Sequence, residues 1–137
     1  MSEQQNIQIV QQAYEAFKAG NIAAVLAVLS DDIEWSTPQI EGAPYPAHCQ
    51  GRQEVARFFA RLAEGEEVQQ FEPQEFIAQG NKVVAVGKYA AKVKATGREF
   101  GNQWVQIHTV QDGKVVKFQE IFDTASAARA YQKGLSA

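Results

Sequence analysis

The chain of 137 residues holds a single cysteine, Cys49. No intrachain disulfide can form, which suits a reducing compartment. His48 and His108 lie far apart in sequence, and with one cysteine they make no ligand set of recognisable spacing, so no metal is expected. The glycines are scattered among turns. Neither a phosphate-cradling run nor a dinucleotide fingerprint occurs, and no cofactor is expected. Basic charge is thin, with 13 Lys and Arg against 16 Asp and Glu for a formal net charge of −3. The densest basic stretch, Lys88, Lys92, Lys94 and Arg98, reads as the solvated side of a strand. Phosphate-backbone binding needs a concentrated patch, so no nucleic acid partner is expected. No apolar run approaches the roughly 20 residues that cross a bilayer, and Met1–Asn6 lacks the basic-then-apolar profile of a signal peptide. No membrane partner is expected, and the cytoplasm is the expected location. Linkers, repeats and low-complexity segments are missing too, so residues 1–137 read as one domain.

What is present has ordinary globular composition, 45% hydrophobic and 21% charged. Ser2 and Gln5 form a capping-box pattern ahead of Ile7, Val10, Tyr14 and Phe17, which recur at helical spacing until Gly20. Asn21 is placed to cap a shorter helix that buries Ile22, Val25, Leu26 and Leu29. Asp31-Asp32 stops it, and Ile33-Glu34-Trp35 reads as a brief strand. Residues 36–50 gather Pro38, Pro44, Pro46 and Gly42 into an irregular loop. A third helix follows Gly51, with Val55, Phe58, Phe59 and Leu62 on one face and Gly65 at its C-terminal end. From about residue 66 the period becomes alternating. Four strands are expected near 68–79, 82–95, 98–111 and 114–122, joined by turns at Gly80-Asn81, Thr96-Gly97 and Asp112-Gly113 that demand antiparallel hairpins. Pro73 belongs at an edge or bulge. Asp123 or Thr124 caps a closing helix through Ala128 and Tyr131.

Helices followed by a meander of long strands imply an α+β fold with the helices on one sheet face. Alternation assigns side chains to faces. Val116, Phe118, Glu120 and Phe122 share one. On the preceding strand Trp104, Gln106, His108 and Val110 share a face, with Val105, Ile107 and Thr109 opposite. A sheet apolar on both sides needs a second cover that the helices cannot supply, and a homodimer is expected.

Several segments together resemble the SnoaL-like branch of the nuclear-transport-factor-2-like superfamily, which includes ketosteroid isomerases and polyketide cyclases. They are Ala19-Gly20-Asn21, Leu29-Ser30-Asp31-Asp32-Ile33-Glu34-Trp35, and Gly51-Arg52-Gln53-Glu54-Val55 leading to Phe58-Phe59. Thr96-Gly97-Arg98 and Asp112-Gly113-Lys114-Val115-Val116, running on to Phe122-Asp123, complete the match. The resemblance implies a cone-shaped domain of cystatin-like type, a curved antiparallel sheet packed on N-terminal helices around a deep pocket. It also implies dimerisation through the sheet's outer face and, in members that are enzymes, cofactor-free chemistry. The ketosteroid isomerase pattern does not carry over. Its general-base aspartate position holds Thr37, ahead of Pro38. Its tyrosine position falls on Ala13, beside Tyr14, and its second aspartate position falls near Gln106. Steroid isomerase activity is therefore not expected. Cyclase-like members place an acid on the last strand, where Glu120 matches and Asp123 is the rival. Their partner histidine falls near Gln106, two residues from His108.

Glu120, between Phe118 and Phe122, should be desolvated and its pKa pushed upward, as acid–base work near neutrality requires. His108 and Gln106 share the neighbouring face and could hold or move a proton with it. The alternative is a buried Glu120 satisfied by Trp104 N–H, Gln106 or a backbone amide. Trp35, Tyr45, Phe59, Trp104, Phe118 and Phe122 are candidates to line a pocket for a small hydrophobic molecule. Tyr14 reads as a core tyrosine with a buried partner, or as a hydroxyl aimed at the ligand. His48 and Cys49 are neighbours in the loop without a third orienting group. Three functions stay open: a cofactor-free isomerase, cyclase/lyase or hydrolase, a non-catalytic binder of a hydrophobic metabolite, and a protein–protein interaction module.

Overall fold

The computed structural model describes residues 2–133. Ser2 caps α1 (Glu3–Lys18) in a reciprocal capping box with Gln5, which satisfies two amides that a helix start leaves free. Asn21 accepts from the Ala24 amide and opens α2 (Ile22–Ala27). The chain then runs through β1 (Leu29–Ser36), the proline loop and a short β2 (His48–Gln50). Both strands exceed the expectation. Asp31 and Asp32 lie within β1 with their side chains exposed, and β2 pairs with β1 through Trp35 opposite Cys49. Next come α3 (Arg52–Gly65) and the long strands β3 (Glu66–Gln79), β4 (Lys82–Val93), β5 (Glu99–Gln111) and β6 (Lys114–Phe122), closed by α4 (Ala125–Tyr131).

The strands form one sheet in the order β2-β1-β6-β5-β4-β3. All neighbours are antiparallel except β1 and β6, which run parallel. A parallel pair needs a long crossover, and here the whole stretch from β2 to β5 supplies it. Asp112 and Gly113 both take positive φ, 50° and 78°, the geometry of a type I′ hairpin turn. Three bulges interrupt the antiparallel ladders, with Gln69 and Gln74 on β3 and Val116 on β6 as the extra residues, and the parallel β1–β6 register slips between Leu29 and Glu34. Pro73 sits on an edge strand next to one of them.

The helices cover one face of the sheet. The main core joins Val10, Tyr14, Val25, Ile33, Val55, Trp104 and Phe118, and a smaller cluster gathers Ile40, Ala91, Val93, Phe100, Ala127 and Tyr131 beneath α4. On the other face, register places Ile77, Val84 and Ile107 side by side, with Val86, Val105 and Ile121 next to them. Ile77 and Ile121 are 54% and 50% exposed. No helix among the described residues is long and apolar enough to cross a membrane.

Candidate functional site

Between the helices and the concave sheet lies a cavity of about 110 Å³. Every layer contributes to its wall: Tyr14 and Phe17 from α1, Trp35 from β1, Thr37, Pro38, Ile40 and Tyr45 from the proline loop, and Phe58 and Phe59 from α3. The sheet adds Phe71, Tyr89, Asn102, Gln106, His108, Phe118, Glu120 and Phe122. Of the residues singled out from sequence, Tyr14, Trp35, Tyr45, Phe59, Gln106, His108, Phe118, Glu120 and Phe122 all border it. Trp104 does not. It shares their sheet face but lies flat over Gly87, where a Cβ would collide with its ring, and Phe71 stacks on it at a centroid distance of 5.2 Å. Gly87 is thus required for the packing that takes Trp104 out of the wall.

Two polar clusters interrupt this apolar lining. In the first, the Tyr14 hydroxyl donates to Gln106 Oε1 at 2.7 Å, and Gln106 Nε2 donates to Glu120 Oε2 at 2.7 Å. β5 and β6 set the link, because Gln106 is directly opposite Glu120 in their register. His108 is opposite Phe118 instead. The His108–Glu120 pairing entertained from sequence is therefore replaced by a Gln106–Glu120 pair. His108 Nδ1 lies 3.2 Å from the Val83 carbonyl, which requires a proton on that nitrogen, and its Nε2 lies 3.4 Å from the Tyr14 hydroxyl. Burial lowers the His108 pKa to about 4, against some relief from the Val83 bond, so the ring is neutral. Burial raises Glu120 to about 7; the Gln106 bond opposes this and the charge of Glu66 adds to it. Glu120 is enclosed by protein yet keeps a partly accessible surface. The rival acid, Asp123, is exposed and accepts the Ala125 amide at the start of α4.

Sequence reasoning missed the second cluster. Glu66, 3% exposed, accepts from three phenols: Tyr89 at Oε1 (2.6 Å), and Tyr45 (2.6 Å) and Tyr131 at Oε2. It joins the α3–β3 junction to the proline loop, β4 and α4. Burial, and then the carboxylate, push the Tyr45 and Tyr89 pKa values well up. Strict alternation counted back from Phe71 would turn Glu66 outward. The bulge at Gln69 shifts the parity and brings it in. The available signal was three tyrosines in otherwise apolar surroundings, each of which needs an acceptor when buried. His48 is exposed and 3.1 Å from Ser36 Oγ, whereas the neighbouring Cys49 is buried with its thiol pKa raised by that burial. No group of three or more metal-ligating side chains occurs among the described residues.

A curved sheet with one parallel pair, wrapped on three helices around a cavity, defines the nuclear-transport-factor-2-like class. Within that class, the family model for the SnoaL-like domain matches residues 10–118, and the chain belongs to this family. An NTF2-like protein of Burkholderia xenovorans LB400 is 37% identical, with a TM-score of 0.86 over 96% of this chain and 99% of that one. An NTF2-like protein of unknown function from Burkholderia pseudomallei K96243 is 29% identical, with a TM-score of 0.84 over 96% and 99%. TerC, co-crystallised with polyporic acid, is 25% identical, with a TM-score of 0.79 over 93% and 98%. No curated protein matches the chain in sequence.

Proposed function

We propose that this chain is a small-molecule pocket protein working as a cofactor-free acid–base enzyme, of isomerase, cyclase/lyase or hydrolase type, on a hydrophobic or alicyclic substrate. The observation that carries the reading is Glu120. It is a carboxyl group on an apolar cavity wall, raised to about 7 by burial and tied through Gln106 to the Tyr14 hydroxyl. Such a group takes a proton from carbon or water when ionised and donates to a carbonyl when protonated. Gln106 holds its orientation, and Tyr14 offers a hydroxyl on the opposite wall. The neutral His108 ring positions Tyr14. The cavity's aromatic lining supports an organic ligand, as does the small molecule co-crystallised with TerC.

A generic substrate tests the chemistry without knowledge of the natural one. 5-Nitrobenzisoxazole opens when a base removes its ring proton, and a carboxylate in apolar surroundings suffices. Turnover should rise with pH through about 7 as Glu120 ionises. Glu120→Gln should lower it by about 10²–10⁴-fold. Equal rates in the two proteins would remove the acid–base reading and leave a non-catalytic binder, which the threonine at position 37 favours. As to partners, we propose a homodimer through the outer sheet face, on the strength of the adjoining Val86, Val105, Ile107 and Ile121.

A further inference from the structure

The cavity wall carries charge of one sign. Glu66 and Glu120 border it, and none of the described lining residues is Lys or Arg. His108 adds no positive charge, since its Nδ1 proton is committed to Val83 and burial holds it neutral. The two carboxylates are not equivalent. Three phenols donate to Glu66, whereas Glu120 has one described donor, Gln106, on Oε2. Aromatic side chains neighbour Glu120 on the cavity wall. Phe118 and Phe122 flank it on the same strand face, and Trp35 stacks on Phe118 at 3.9 Å. The parallel register ends with Trp35 opposite Phe118 and Ser36 opposite Gln119, and the next residue on each side, Thr37 and Glu120, lines the cavity. Thr37 Oγ1 is a buried acceptor without a partner in a residue only 8% exposed.

We propose that the ligand of this pocket carries a positively charged amine, an alkyl- or arylammonium group, seated against Glu120 and Thr37 with the faces of Phe118, Phe122 and Trp35 around it. This rests on the small-molecule reading above and adds the charge of the ligand. The ring faces attract a cation through their quadrupoles, more so in a desolvated site. An ammonium donates to both Glu120 and the orphaned Thr37 oxygen, and its charge offsets the repulsion between Glu120 and Glu66. An anion would meet two carboxylates and no compensating cation. The volume, about 110 Å³, is smaller than the apolar cavity of about 150 Å³ that takes benzene, so a single small ring with its ammonium is the upper limit of what it encloses.

Three probes of one shape and different charge decide it: benzylammonium, benzyl alcohol and benzoate, titrated by calorimetry and by tryptophan fluorescence. Near pH ~8, where Glu120 is ionised, benzylammonium should bind about tenfold tighter than benzyl alcohol, with benzoate weakest. The preference should shrink toward acid as Glu120 takes up its proton. The groups facing Glu120 are Glu66, Tyr14, Tyr89 and His108, and none of them becomes a cation above about pH 5, given His108 at about 4. In Glu120→Gln the preference should disappear while benzyl alcohol still binds. Benzyl alcohol or benzoate binding as tightly as the amine, or a preference that survives both acid and Glu120→Gln, would overturn the charge assignment and leave the pocket reading standing. If none of the three binds, the pocket reading falls and the cation with it.

Discussion

Glu120 and His108 pull the pH dependence of stability in opposite directions. Glu120 is raised from 4.5 to about 7 in the fold. Its contribution is fully present below about pH 4.5 and is lost as pH rises through about 7. His108 is lowered from 6.5 to about 4. Its contribution is present above about 6.5 and lost as pH falls through about 4. Between about pH 4.5 and 6.5 the native protein holds one proton, on Glu120, and the unfolded chain holds one, on His108. The two slopes cancel. Each limb amounts to about 3 kcal/mol at most, at about 1.4 kcal/mol per unit. Urea unfolding across this window should therefore show Glu120→Gln losing stability toward acid and His108→Gln losing it toward neutral pH, relative to the parent. Parallel profiles for all three proteins would show that neither group is shifted.

At the scale of elements, sequence reading succeeded wherever the period was unbroken. On β5 the alternation of Trp104, Gln106, His108 and Val110 against Val105, Ile107 and Thr109 is the alternation observed. It failed at bulges, where one extra residue reverses the faces beyond it. Val116 was expected beside Phe118, but it is the extra residue on β6, and Val115 lines the cavity in its place. Gln69 hid Glu66 in the same way. Trp104 was misassigned for a different reason: spacing gives a face, but not whether a flat glycine neighbour lets a ring lie down against the sheet. The Glu66 cluster has its own consequence. Its carboxylate is the common acceptor for phenols from the proline loop, β4 and α4. Glu66→Gln replaces three charge-assisted bonds with weaker ones and should cost about 2–4 kcal/mol. Amide exchange should quicken most in Ala125–Tyr131, the α4 segment that Tyr131 anchors. Uniform quickening throughout the protein would mean that the cluster does not anchor α4 specifically.

At the scale of the whole molecule, the sheet has two contrasting faces. The concave one borders the cavity. The outer one carries exposed Ile77 and Ile121 beside half-buried Val84, Val86, Val105 and Ile107. A homodimer on that face should bury more than about 2,000 Å² in total, and light scattering at micromolar concentration should return twice the chain mass. Ile107→Lys places an unpaired charge at the centre of the face and should yield a folded monomer. A parent protein that scatters as a monomer would remove the dimer. The family resemblance was legible because most of its segments sit at turns and helix starts, where backbone geometry restricts residue choice, while Leu29–Trp35 makes up nearly all of β1. The chemistry was less legible, because cross-strand partners depend on register.

The link between Tyr14 and Glu120 has a direction. An amide donates from its nitrogen and accepts at its oxygen, so Gln106 cannot treat its two neighbours alike. With Glu120 ionised, the nitrogen faces the carboxylate and the oxygen takes the Tyr14 proton, as observed. A protonated carboxyl still accepts at its carbonyl oxygen, so Gln106 Nε2 keeps its partner when Glu120 gains a proton, and the new proton sits on Oε1. The order from α1 to β6 is therefore the same in both charge states, and the proton comes and goes at the one carboxyl oxygen that Gln106 leaves free.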